Sequence, residues 1–160
     1  MPDDLLADLD AARETFLGAL AVVDQDLVTV PGVMDDWSVR DLVVHVAWWL
    51  QHGADAIALA AAGRGDEFGY SPGETDAMNA RILEEGRATS PAEALNREES
   101  AFAAFRQAFA DLDASKLTLR PGNGDTVEEV IRYDGPDHYA EHTTHLRAWF
   151  SADMAEEDDA

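Results

Sequence analysis

The chain has 160 residues, of which 46% are hydrophobic, so one globular domain with an apolar core is expected. Its formal net charge of −22 argues against binding to nucleic acid, and the absence of cysteine excludes disulfides, thiolate zinc sites and a cysteine nucleophile. No apolar run is long enough to span a membrane, and the acidic start lacks the basic residues of a signal peptide, so we expect a cytoplasmic protein.

The first half of the chain predicts two long helices. Apolar residues recur at helical spacing over residues 3–23, before Pro31 and Gly32 interrupt the pattern. The second helix begins after the N-cap Ser38, where Asp41 is placed to complete a capping box, and it is expected to last to about residue 62. Because apolar residues cover much of its circumference, we expect this helix to lie at the centre of the fold.

The second half begins with a glycine-rich segment, GRGDEFGYSPGE at residues 63–74, which is expected to form a loop that can cover a pocket. Ser90, Pro91 and Glu93 then have the pattern of an N-cap, a first-turn proline and a capping-box partner. The predicted helices after the loop span residues 74–85, 91–112, 127–132 and 136–150. These helices indicate an all-α bundle over residues 1–151. An acidic, disordered tail is expected at residues 152–160.

Three of the five histidines lie in the last predicted helix. At about 100° per residue, His138, His142 and His145 fall within an arc of roughly 60° on the side expected to face the core. Because a buried polar ring needs a partner, something must meet these nitrogens. The i, i+4 spacing of His138 and His142 suits two metal ligands on one helix face, and His45 of the second helix can supply a third. His52 and His145 have an alternative interpretation as boundary residues that bond water or a carboxylate.

A site with three histidine ligands leaves coordination positions open for water or substrate, as catalytic metal centres do. Imidazole binds Zn, Ni, Fe and Mn, so the ligand set does not select one of them. Glu141 lies beside the cluster, where it can orient a histidine or act as a base. The alternative interpretation of Glu141 is a solvated helix residue.

Three segments together resemble the DinB/YfiT-like superfamily: DDWSVRDLVVHVAWW near the start, DAMNARILEE in the middle and DHYAEHTTHLRAW near the end. This superfamily includes metal-dependent hydrolases and thiol transferases, the metal-binding domain of mycothiol-dependent maleylpyruvate isomerases, and the ClbS/DfsB group. The resemblance implies a four-helix bundle with long crossover connections. It also implies a divalent metal bound by His45, His138 and His142, with zinc or nickel favoured over iron or manganese. His145 falls where many relatives have Gln.

A second pattern within the superfamily matches the same helix. ClbS-like proteins have a His-Tyr pair followed by a second His and a Trp, and His138, Tyr139, His145 and Trp149 have that spacing. In those relatives the position of His142 is usually not histidine, and a metal is not an evident requirement. Loss of His142 should therefore abolish a metal-dependent activity and have little effect on a metal-independent one.

The sequence leaves three hypotheses. The first is a metal-dependent hydrolase, or a transferase of a low-molecular-weight thiol such as mycothiol or bacillithiol, that acts on a small electrophile with Glu141 and His145 as catalytic residues. The second is a ClbS/DfsB-like protein that hydrolyses or sequesters a reactive small molecule without a metal. In that protein His138, Tyr139, Glu141 and His145 would act as proton donors or hydrogen-bonding groups. The third is a non-enzymatic binding module. The expected partners are a small molecule and a second copy of the chain, with no nucleic acid and no membrane.

Overall fold

The computed structural model describes residues 2–121 and 124–158, and within these ranges the protein is helical and has no β-strand. Short 3₁₀ turns connect the α-helices, whose bounds are α1 Pro2–Ala21, α2 Val39–Ala61, α3 Thr75–Arg87, α4 Pro91–Ala110, α5 Val127–Asp134 and α6 Pro136–Asp158. In the same part of the chain, no helix combines the length and the apolar character needed to cross a bilayer. The prediction of an all-helical fold is therefore confirmed.

Helix α2 lies at the centre of the molecule. It packs along α4 and also against α3, α5 and α6, while α1 packs mainly on α6. Leu42 and Leu50 of α2 are completely buried, as are Phe16 of α1 and Phe105 of α4. The central position of α2 agrees with the prediction from its largely apolar circumference.

The start of α2 is fixed by the predicted capping box. The Ser38 hydroxyl accepts a hydrogen bond from the backbone N–H of Asp41, and the Asp41 carboxylate accepts one from the backbone N–H of Ser38 at 3.0 Å. Helix α3 crosses closely here, because a Cβ added at Gly86 would lie 2.9 Å from the Asp41 Cα. Gly86 therefore allows α3 to lie against the first turn of α2.

The start of α4 differs from the prediction in one detail. Ser90 caps the helix by accepting a hydrogen bond from the backbone N–H of Glu93, as predicted. The Glu93 carboxylate, however, accepts a hydrogen bond of 2.8 Å from Arg97 and does not close a capping box. The competing partner one turn later is the physical reason. A reciprocal box that was not predicted forms at α5, between Thr126 and Glu129.

Several helix ends also differ from the prediction. Helix α4 ends at Ala110 rather than near residue 112, α5 continues to Asp134, and α6 continues to Asp158 instead of ending near residue 150. Helix α6 extends because residues 151–158 contain no glycine or proline that would stop it, and they include the helix formers alanine, methionine and glutamate. The helical backbone therefore includes most of the segment predicted as a tail, and residues 159–160 lie outside the described ranges.

A sharp bend separates α5 from α6 at Gly135. A Cβ at this position would lie 2.6 Å from the carbonyl oxygen of Ile131 and 3.0 Å from the Phe105 ring, so a glycine is required. The bend turns the first turn of α6 toward α2, where His138 meets His45.

A buried ionic cluster holds the opposite face of α6. Arg13 of α1 donates two hydrogen bonds of 2.9 Å to Glu98 of α4, and the Tyr139 hydroxyl on α6 donates to the same carboxylate. The Arg13 guanidinium also lies 4.3 Å from the centroid of the Phe102 ring. Burial and the adjacent carboxylate raise the pKa of Tyr139, so its hydroxyl remains a donor. The cluster fixes the rotation of α6 and leaves His138 facing α2.

Candidate metal centre

Three histidine side chains converge between α2 and α6. The Nε2 atom of His138 lies 2.9 Å from Nε2 of His45 and 2.9 Å from Nε2 of His142. One ring nitrogen from each residue lies within 4.8 Å of those of the other two. The structure therefore brings together the three residues that the sequence analysis assigns as metal ligands.

Helix packing positions these rings. His138 and His142 are one turn apart on α6, and His45 lies in the second turn of α2, so the contact between the two helices completes the triangle. Trp37, just before α2, meets the His45 ring edge to face with centroids 5.0 Å apart. His45 and His142 are 5% and 2% exposed, so protein contacts determine their orientation.

Hydrogen bonds alone do not satisfy this cluster. A neutral imidazole nitrogen either has a proton or one lone pair, so Nε2 of His138 cannot make good hydrogen bonds to both neighbouring rings. Protonation of the rings does not supply the missing hydrogen-bond donors at neutral pH. Burial and the neighbouring histidines lower the pKa of His45 and His138 to about 3 and that of His142 to about 2. At neutral pH the cluster is therefore three neutral imidazoles whose nitrogens converge.

This donor set fits a divalent metal ion. Neutral imidazole is the form that binds metals, and three nitrogens bound tetrahedrally to zinc at about 2.0 Å lie roughly 3.3 Å apart, close to the two separations of 2.9 Å from Nε2 of His138. Nδ1 of His142 lies 3.2 Å from Nδ1 of His145, so this ring has a neighbour that can fix its tautomer. The Nδ1 atoms of His45 and His138 are buried without a hydrogen-bond partner in the described part of the chain. Because the three Nε2 atoms converge, they are the ones available to a shared ion.

The histidine cluster forms part of the wall of an open cavity of about 310 Å³, which we call the metal cavity. The loop over residues 63–74 contributes Tyr70, in agreement with its expected position over a pocket. Nε1 of Trp49 donates a hydrogen bond of 3.0 Å to Asn79, which holds α3 beside the cavity. The lining residues are Met34, His45, Trp49, Tyr70, Thr75, Asn79, Tyr133, Asp134, His138, Glu141 and His142.

The other candidate residues take different positions. Glu141 is exposed and lines the metal cavity, so its carboxylate can reach a bound molecule. His145 is half-buried next to His142 and is not among the residues that line the cavity. Tyr139 is fully buried on the far side of α6, with its ring centroid 5.3 Å from that of Phe16. Tyr139 is therefore not available as a proton donor to a molecule in the cavity.

One carboxylate of the cavity was missed in the sequence analysis. Asp134 ends α5 and is 6% exposed, and burial raises its pKa to about 6. It was missed because α5 was predicted to end at residue 132. The signal was present, since Val127, Val130, Ile131 and Asp134 recur at the i, i+3, i+4, i+7 spacing of one buried helix face.

Comparison with known protein families identifies the family to which the chain is similar. The family model described as the mycothiol maleylpyruvate isomerase N-terminal domain matches residues 9–147. The matched range contains all three clustered histidines together with Glu141 and His145. Comparisons with curated proteins and with solved structures gave no match. The family match confirms the resemblance to DinB/YfiT-like metal-binding domains.

Proposed function

The chain belongs to the mycothiol maleylpyruvate isomerase N-terminal domain family, and from this premise we propose that it is a metal-dependent enzyme that transfers a low-molecular-weight thiol to a small electrophile. Metal binding and a relation to mycothiol are properties of the family. The chain contains no cysteine, so any thiol in this reaction comes from a small-molecule cosubstrate such as mycothiol or bacillithiol.

The observation that carries the proposal is the convergence of three neutral imidazoles on the wall of the metal cavity. His45, His138 and His142 would hold the ion through Nε2, and the open cavity beside them leaves room for a substrate. A divalent metal bound there, with zinc or nickel favoured over iron or manganese, would lower the pKa of a bound thiol or water toward neutrality.

Glu141 is the group we assign as general base. Its carboxylate lies at the cavity wall, one turn after His138, so it can accept a proton from a molecule bound beside the histidines. With an activated alkene as the electrophile, the thiol proton moves to Glu141, sulfur bonds to the β carbon, and the proton returns to the α carbon. The net reaction is addition of the thiol across the double bond, and the carboxylate is restored.

His145 has a different role in this proposal. Because it contacts His142 and not the cavity, we assign it as a positioning residue that accepts the Nδ1 proton of His142. This hydrogen bond leaves the lone pair of His142 on Nε2, where the other two histidines present theirs.

Two other functions are alternatives to thiol transfer, and the assay described below distinguishes them from it. Hydrolysis uses the same ligands with water in place of the thiol, and Glu141 would serve it equally. A metal-independent protective function is less well supported, because one of its four proposed polar groups, Tyr139, is buried against Phe16 and bonded to Glu98.

The proposal also includes the arrangement of the helices, the oligomeric state and the location that we expect from the sequence. A four-helix bundle with long crossovers is supported by a closed ring of contacts, since α1 packs on α6, α6 on α2, α2 on α4, and α4 on α1. We retain the homodimer, the cytoplasmic location and a non-enzymatic binding module as hypotheses from the sequence, to be tested in solution.

The test is a conjugation assay on the full chain loaded with Zn²⁺ or Ni²⁺. Mycothiol or bacillithiol is mixed with a panel of activated alkenes, and the thiol adduct is measured by mass spectrometry. We expect metal-dependent adduct formation, with kcat lowered about 10²-fold or more in Glu141→Gln. Asp137→Asn is the matched control, because Asp137 is an exposed carboxylate on the same helix outside the cavity. Hydrolysed product without adduct would select the hydrolase, and no turnover by metal-loaded protein would contradict the proposal.

A further inference from the structure

A second cavity of about 220 Å³ adjoins the metal cavity and shares Trp49, Tyr70, Tyr133 and Asp134 with it. We call it the side chamber. His52, Phe68, Asp125 and Val130 complete its lining, which includes two carboxylates and no lysine or arginine. The proposed thiol transfer does not use these additional residues.

Aromatic rings form much of the side chamber. The centroid of the His52 ring lies 4.7 Å from that of Phe68, 4.8 Å from that of Tyr70 and 5.0 Å from that of Trp49. The faces of aromatic rings attract organic cations within about 6 Å of the ring centroid. The rings and the carboxylates therefore both favour a positively charged ligand.

Two acceptor atoms in the side chamber lie near each other without a hydrogen bond between them. Oδ2 of Asp134 lies 4.0 Å from Nδ1 of His52, which is too long for a hydrogen bond. Nδ1 of His52 is buried without a hydrogen-bond partner in the described residues. A nitrogen about 2.9 Å from each atom would fit between them and donate to both, provided that His52 has its proton on Nε2.

The position of Asp134 is fixed by packing. A Cβ added at Gly53 of α2 would lie 3.0 Å from Oδ2 of Asp134, so the carboxylate lies directly against the α2 backbone. Burial raises the pKa of Asp134 to about 6, so the carboxylate is mostly ionised at neutral pH despite the cost of its burial. A water molecule between the two acceptors would supply hydrogen bonds but no compensating charge, whereas a cation supplies both.

We propose that Asp134 and His52 bind the ammonium group of a small primary amine in the side chamber. Two of its N–H groups donate to Oδ2 of Asp134 and Nδ1 of His52, and the aromatic rings surround its carbon chain. Because the two cavities share Asp134 and three aromatic residues in their walls, an amine bound here lies beside the metal cavity. The inference that this amine belongs to the thiol or the electrophile of the thiol transfer rests on the proposed function. Binding of the amine in the side chamber does not depend on that function.

The test compares n-butylammonium with butan-1-ol, which has the same carbon chain and a hydroxyl in place of the charge. Binding to the full chain is measured by calorimetry and by tryptophan fluorescence at about pH 8. We expect n-butylammonium to bind about 10-fold or more tightly than butan-1-ol, and Asp134→Asn to remove that preference. His52→Phe, which keeps an aromatic ring and removes the acceptor, should weaken binding of the amine.

Two control variants make the result specific. Asp66→Asn removes an exposed carboxylate from the loop that contributes Phe68, and it should leave binding of n-butylammonium unchanged. His142→Ala removes a proposed metal ligand and should also leave amine binding intact, so failure of the metal site and failure of this proposal are distinguishable. Equal binding of the amine and the alcohol, or unchanged amine binding by Asp134→Asn, would overturn the proposal and favour a bridging water between the two acceptors.

Discussion

The Nε2 atoms of His45 and His138 lie 2.9 Å apart, although 93 positions separate the two residues along the chain. This contact joins the central helix α2 to the final helix α6, and His142 completes the cluster one turn later. Neither helix alone presents three ligands. The candidate metal centre is therefore a property of the folded chain, and it depends on how α6 is rotated against α2.

The contact between His142 and His145 predicts a measurable effect on metal affinity. In the proposed arrangement His145 accepts the Nδ1 proton of His142 and so directs the Nε2 lone pair at the ion. His145→Ala should weaken Zn²⁺ binding by about 10- to 100-fold. His145→Gln should retain most of the affinity, because its amide oxygen accepts the same proton. Competition with a chromogenic chelator measures both variants, and equal losses in the two would contradict the positioning role.

Asp134 predicts a pH-dependent effect on stability. Its pKa is raised by burial from 3.8 in the unfolded chain to about 6 in the fold. As pH rises from about 4 to 6 the unfolded state releases its proton first, so the wild type loses stability relative to Asp134→Asn. The variant should match the wild type near pH 4 and be about 1 to 3 kcal/mol more stable at pH 7. Urea unfolding at both pH values tests this, and a variant less stable at pH 7 would contradict it.

Two arginine–carboxylate pairs connect α1 to α4, and they should differ in their effect on stability. Arg13 binds Glu98, whose side chain is 1% exposed, whereas Arg106 binds Asp10 and both of those side chains are more than 40% exposed. Arg13→Ala leaves a buried carboxylate with only Tyr139 as partner, and should cost about 3 kcal/mol of unfolding free energy. Arg106→Ala is the matched control and should cost far less, because solvent screens its pair. Similar losses in urea unfolding would disprove the distinction.

Two glycines predict opposite effects of substitution by alanine. A Cβ at Gly86 would lie 2.9 Å from the Asp41 Cα, so Gly86→Ala should push α3 away from α2 and cost about 1 to 3 kcal/mol. Gly18 lies inside α1, and apart from its chain neighbours and the backbone of its own helix, no described atom lies within 4 Å of an added Cβ. Gly18→Ala should therefore stabilise the protein by about 0.5 to 1 kcal/mol through helix propensity. Thermal unfolding of the two variants should shift in opposite directions.

Local patterns in the sequence predicted much of this structure. The Ser38 capping box, the central position of α2 and the shared helix face of His138 and His142 depend on neighbouring residues, and all three are present in the fold. Helix ends without a glycine or proline were less predictable. Helix α6 continues to Asp158 because nothing in its sequence stops it.

Local sequence patterns could not predict contacts between segments that are far apart along the chain. Glu98 looks like an ordinary charged helix residue until Arg13, 85 positions away, and Tyr139 meet it in the core. Asp134 looks like a turn residue until α5 buries it beside His52. Both examples concern buried charges, whose partners are chosen by tertiary packing and not by spacing along the chain.

Metal content tests most directly whether His45, His138 and His142 bind one divalent metal ion, as we propose. The direct measurement is the metal content of untagged protein by mass spectrometry, for the wild type, for His142→Ala and for His52→Ala, which removes a histidine outside the cluster. We expect about one metal ion per chain in the wild type and in His52→Ala, and loss of the ion in His142→Ala. An absence of metal in the wild type after incubation with Zn²⁺, Ni²⁺ and Mn²⁺, or equal metal content in His142→Ala, would contradict it.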